Sequence, residues 1–124
     1  MPITYEIRST PGGRKYSRSA AAGRITMDDV RMIQDAAKPG GPMDGLPSLT
    51  VNSADLAIDP DARKAFSDMV RDVKEDYFSA MVVTSAPMRV MMGFILRVTG
   101  RAENMRFFND EAAAVEWLAG KLGG

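Results

Sequence analysis

Polar and apolar positions along this chain fall into two alternating periods. Ile3, Tyr5 and Ile7 are interleaved with Thr4, Glu6 and Arg8. A period of two sends successive side chains to opposite faces and predicts a half-buried strand. Pro11-Gly12-Gly13 reads as a turn, and an extended run rich in Ser and Ala follows from Lys15 to about Ala22. Two extended runs around a turn predict a hairpin. The period then lengthens. Thr26 and Asp29 have the spacing of a capping box, and Val30, Ile33 and Ala37 recur on one helical face. Pro39-Gly40-Gly41-Pro42 stops this helix, because proline and glycine do not continue it. Residues Lys38 to Ser48 form the longest obvious loop.

The same two periods continue to the end. Leu49-Thr50-Val51 predicts a short strand, and Asn52 to Ile58 a loop leading out of it. Asp59 as cap and Pro60 at the first helical position open a second helix. Its apolar stripe is Ala62, Phe66, Met69, Val70, Val73 and Tyr77. Arg63, Lys64, Asp68, Arg71, Asp72, Lys74 and Glu75 are assigned to its polar side. Ala80 to Thr84 is the continuous apolar run of a strand covered on both faces. Ser85-Ala86-Pro87 starts a third helix that reaches Thr99 and stops at Gly100. Met105 to Phe108 predicts a last strand, and Asn109 or Asp110 caps a final helix from Glu111 to Leu118. The predicted order is ββαβαβαβα. This is an α/β fold in one domain over residues 1–124, with an N-terminal hairpin, about four helices and a mixed, mainly parallel sheet joined by right-handed crossovers.

The third helix is too apolar for its expected place. Met88, Met91, Met92, Ile95 and Thr99 form one stripe, widened by Leu96, and Val90, Phe94 and Val98 form a second. A helix that covers one face of a sheet needs an apolar arc of roughly 100°. The surplus has three explanations. One is tight burial between the sheet, a neighbouring helix and the 38–48 loop. The second is a protein interface, most simply a homodimer. The third is contact with an apolar ligand or a membrane surface. The chain carries 10 Met, an unbranched and adaptable side chain suited to varied partners. Gly93 in mid-helix is a candidate for close approach by another backbone.

Composition narrows the chemistry. Of 124 residues, 45% are hydrophobic and 26% charged, as in ordinary globular proteins. The 16 basic and 16 acidic residues cancel, so there is no broad basic field for nucleic acid. Arg8, Arg14, Lys15, Arg18 and Arg24 leave the first 25 residues locally basic against Glu6 alone. A solvated hairpin face accounts for that bias, and contact with a phosphate or an anionic lipid is the alternative. The chain has no Cys and no His, which removes disulfides, thiolate chemistry, His-based acid–base catalysis and the commonest metal ligands. No GxxxxGK[ST] or GxGxxG motif occurs. Asp28 and Asp29 are neighbours on a helix and point apart, so they read as first-turn charges. Asp72, Glu75 and Asp76 read as a solvated face. No enzyme activity, cofactor or metal is expected. No signal peptide pattern is visible, and the run from Val90 to Val98, interrupted by Arg97, is far short of the ~20 residues of a membrane span. A cytoplasmic protein is expected.

Three segments carry a resemblance. Tyr5-Glu6-Ile7 opens the chain, Gly23-Arg24-Ile25-Thr26-Met27-Asp28-Asp29 joins a strand end to a helix start, and Phe107 to Leu118 closes it through Asn109-Asp110-Glu111 and Trp117. In this order the chain resembles the SpoIIAA-like (STAS-like) family over nearly its whole length. The resemblance implies two functional models. In the anti-sigma-factor antagonists of the family, the second serine of an Asp-Ser-Ser-Gly-Leu motif is phosphorylated. The matching segment here is Asn52-Ser53-Ala54-Asp55-Leu56, with Ala54 at the phosphoacceptor position. Ser53 is thus a weak phosphosite candidate, with Asp55 and Asp59 nearby to repel a phosphate. The more distant SEC14-like relatives carry apolar molecules. The leading expectation is a non-enzymatic regulatory or interaction domain that meets its partner through helix 87–99. The alternative is a carrier or sensor of a small apolar ligand between that helix and the sheet. Met88, Val90, Met91, Met92, Phe94, Ile95 and Val98 are the candidate residues for either.

Overall fold

The computed structural model describes residues 3–72, 77–100 and 104–123. Val73, Lys74, Glu75 and Asp76, assigned above to the second helix, lie outside them, as does the side chain of Thr99. The elements run β1 (Ile3–Ser9), β2 (Lys15–Ala21), β3 (Arg24–Ile25), α1 (Met27–Ala37), β4 (Ser48–Asn52), β5 (Ala57–Ile58), α2 (Pro60–Asp72), β6 (Ser79–Val83), α3 (Ala86–Thr99), β7 (Met105–Phe108) and α4 (Glu111–Lys121). The main sheet has the order β1-β2-β4-β6-β7. Strand β1 pairs antiparallel with β2, and every later pair is parallel. The sheet is mixed and mainly parallel, with four helices.

Because the sheet grows in one direction, the right-handed crossovers through α1, α2 and α3 stack these helices on one face. Helix α4 follows the last strand and covers the other face. On the α4 side, Tyr16, Leu49, Ala80 and Val82 are buried against Ala114 and Leu118. Trp117 meets Phe78 edge-on, with ring centroids 6.4 Å apart. On the opposite side, Ile3, Ala21, Ile25, Leu56, Val83 and Met88 form the second core cluster.

The structure corrects the sequence reading in three local places. Residues 52–58 are not wholly a loop. Strand β5 pairs parallel with β3 as a separate two-stranded sheet, in which the Ala57 N–H donates to the Gly23 carbonyl at 2.9 Å and Asp59 N–H to Ile25 at 3.0 Å. Strands of two residues have no period to read. In the last turn of α1 the buried alanine is Ala36, and Ala37 is exposed. The 38–48 segment folds back over the helix end, where the Met43 N–H donates to the Ala36 carbonyl at 2.8 Å. Finally, Asp59 does not cap α2 with its side chain: its carboxylate accepts two hydrogen bonds from Arg24, at 2.8 and 3.1 Å.

Candidate functional site

Helix α3 is fixed in rotation at its first turn. The Ser85 hydroxyl accepts from the Met88 N–H, and Pro87 occupies the first turn, where its missing N–H costs nothing. Arg89, a charged residue between the apolar Met88 and Val90, is the clamp. Its Nε donates to the Val83 carbonyl at 2.8 Å and its Nη2 to Asn109 Oδ1 at 2.5 Å. These bonds tie the helix to the end of β6 and to the turn before α4. Gly100, at φ 74°, ends it in the left-handed conformation that glycine adopts without strain.

That rotation separates the two stripes. Met88 is buried, and Met91, Met92, Ile95 and Leu96 face the sheet. Val90, Phe94 and Val98 face away and are 70%, 59% and 55% exposed. Burial within the chain thus accounts for the first stripe and not for the second. At Gly93 no backbone approaches. A Cβ there would meet the Phe107 ring at 3.8 Å, an ordinary contact.

A cavity of about 220 Å³ lies between the sheet and the α1–α3 layer. Its roof is apolar: Ile33 of α1, Phe66 and Val70 of α2, and Met91, Met92 and Ile95 of α3. Met43 of the 38–48 segment closes one wall. Its floor is polar, because Ser19, Ser48, Thr50, Asn52 and Ser79 occupy the inward positions of three adjacent strands. Much of that floor is satisfied internally. The Ser48 and Ser79 hydroxyls are 2.8 Å apart, and Asn52 Nδ2 donates to the Val82 carbonyl at 3.3 Å. Tyr77 lies past the described end of α2, outside any helix, and lines the same cavity. Burial pushes its phenol pKa up, partly offset by a hydrogen bond with Ser48, so it stays a neutral group.

Sequence reasoning missed Arg63. It was assigned to the polar side of α2, yet it lines the cavity with Phe66 and Val70, three and seven residues on. The signal was present in that i, i+3, i+7 spacing, but an exposed arginine also fits the polar face. Among the described residues, no acidic one lines the cavity.

Ser53 sits where β4 gives way to the turn before β5, and its hydroxyl donates to the Asp55 carboxylate. That bond, with another from the Gly23 N–H, holds Asp55 below the usual carboxylate range. A phosphate on Ser53 would break the first bond and face the Asp55 charge.

The basic hairpin is substantially neutralised. Arg18 Nε and Nη2 bind both oxygens of Glu111, at 2.7 and 2.9 Å, and Arg8 pairs with Glu6 and Glu111. The Arg18 hydrogen bonds hold Glu111 below its ordinary range. Among the described residues, no group of three or more acidic residues could hold a metal, and no helix is long and apolar enough to cross a membrane.

No protein-family model matches the chain, and no curated protein matches it significantly. Among solved structures it is similar to an uncharacterised DUF3478-family protein with a SpoIIAA-like fold from Shewanella loihica PV-4. The identity is 16%, over 94% of this chain and 93% of that one, with a TM-score of 0.69. At that identity the likeness gives the fold, which is SpoIIAA-like.

Proposed function

We propose that this SpoIIAA-like chain is a non-enzymatic regulatory or protein-interaction domain that docks through the outer stripe of α3. The observation that carries this reading is the exposure of Val90, Phe94 and Val98 in one row. Single exposed apolar residues are common, but an aligned row of three large ones on a helix is a contact surface in need of a partner. The spacing Val-x-x-x-Phe-x-x-x-Val is symmetric about Phe94. In an antiparallel twofold contact, Phe94 would meet its own copy on the axis, and Val90 of one copy would meet Val98 of the other. Such self-complementarity suits a homodimer, the simplest closed assembly. Helix rows at i, i+4, i+8 pack on their counterparts at roughly −50°. Full burial of each of these side chains contributes about 1.5–3 kcal/mol, which must exceed the cost of association. Native mass spectrometry and sedimentation of the purified chain test the proposal. A dimer is expected for the wild type and a folded monomer for Phe94→Asp. A wild type that stays monomeric at high micromolar concentration overturns the dimer.

The cavity favours a second reading, a carrier or sensor of a small apolar ligand held between α3 and the sheet. Its volume exceeds the ~150 Å³ of an apolar protein cavity that takes up benzene. Native mass spectra report such a ligand as mass in excess of the chain.

A further inference from the structure

Among the described residues the cavity lining carries one formal charge beside an apolar body, and this pairing defines a ligand class. Arg63 lines the cavity and is exposed, while Phe66 and Val70, three and seven residues on, line it half-buried. Several other arginines are engaged: Arg18 with Glu111, Arg24 with Asp59, Arg31 with Asp28 and Arg89 with Asn109. Among the described residues no ion pair joins Arg63 to a carboxylate, and the two aspartates near it in sequence bond elsewhere. Asp59 is taken by Arg24, and Asp61 accepts from the Ala62 N–H. Arginine is the side chain that binds a carboxylate through two parallel hydrogen bonds.

We infer that the cavity takes a small monocarboxylate with an apolar tail, its carboxylate paired with Arg63 at the rim and its tail under Met91, Met92 and Ile95. This inference rests on the carrier reading above and names its ligand class. Size limits the tail. Scaled from benzene in ~150 Å³, a cavity of about 220 Å³ holds roughly nine non-hydrogen atoms. A chain of about eight carbons, straight or carrying one ring, therefore fills it. The unbranched methionines can repack around tails of different shape. A single cation matches a monoanion, whereas a phosphate monoester carries up to about two negative charges and calls for more donors. Ser19 and Thr50 face each other across β2 and β4 on the floor, where they tolerate one further polar atom on the tail.

Octanoate and octan-1-ol are the probes, tested by calorimetry and thermal shift on the full chain. Octanoate is expected to bind about tenfold more tightly than the alcohol, the scale of one charge-assisted hydrogen-bonded pair. Arg63→Gln, a change at an exposed position that leaves the core intact, should erase that preference and keep alcohol binding unchanged. Ser19→Leu should fill the floor and abolish both. Equal affinity for the two probes, or octanoate binding indifferent to Arg63→Gln, overturns the carboxylate assignment and leaves the carrier reading standing. Failure of both probes to bind overturns the two together.

Discussion

At the scale of single residues, two positions are held by constraints that act through their neighbours. Gly41 lies where the 38–48 segment turns over the end of α1. A Cβ there would stand 2.3 Å from the Ala36 carbonyl oxygen, closer than side chains approach backbone. The helix end cannot yield, because that carbonyl also accepts the Met43 N–H. Gly41→Ala is expected to destabilise the chain by about 1–3 kcal/mol, as overpacking does, measured by urea denaturation. Glu111 is the second case. Its folded pKa lies below the unfolded value because Arg18 binds the ionised form. The resulting stability is present at pH above the unfolded pKa and is lost as pH falls through the depressed folded one. Glu111→Gln should therefore cost up to ~1 kcal/mol above about pH 5 and progressively less below the ordinary carboxylate range. A wild-type-to-variant gap that stays constant down to pH 2–3 would show that the pair contributes nothing through its charge. Both partners are legible as charges in the sequence. Their pairing, across 93 residues, is not.

At the scale of elements, α3 is the most informative. Its boundaries follow from local chemistry: the serine cap, the proline in the first turn and the closing glycine. Its two stripes are also legible, as Met88–Met91–Met92–Ile95 and Val90–Phe94–Val98. Which stripe faces inward is not, since both are apolar. Arg89 decides it by bonding Val83 and Asn109, groups that come near only when the sheet has formed. Gly93 has space for a methyl group and, within a helix, costs about 1 kcal/mol relative to alanine. Gly93→Ala should raise stability by about 0.5–1 kcal/mol and leave the oligomeric state unchanged. A loss of stability there would mean that Phe107 packs more tightly than the 3.8 Å contact indicates.

At the scale of the whole molecule, the two faces of the sheet differ in packing. The α4 side is closed, with Leu49, Ala80, Ala114 and Leu118 wholly inaccessible to solvent. The α1–α3 side encloses the cavity above a serine-rich floor. Leu118→Ala is expected to cost about 2.5–4 kcal/mol, since its neighbours cannot collapse into the space. Met92→Ala should cost less, about 1–2 kcal/mol, because its side chain already borders a void and gives up fewer contacts. Equal losses in chemical denaturation would show both layers to be packed alike and the cavity to be closed in solution.

Local pattern alone determined the strands of the main sheet, the four helices, their order and most of their ends. Periodicity and capping act within a few residues and do not need the rest of the chain. The SpoIIAA-like resemblance rested on the same local segments, and the shared fold agrees with it. Only the tertiary structure decided the strand order, the β3–β5 pairing, the split of α3 into an inner and an outer stripe, and the position of Arg63 at the cavity rim. Each of these depends on contacts between residues far apart in sequence. An apolar or charged side chain carries no mark, in the sequence, of the neighbour it will meet.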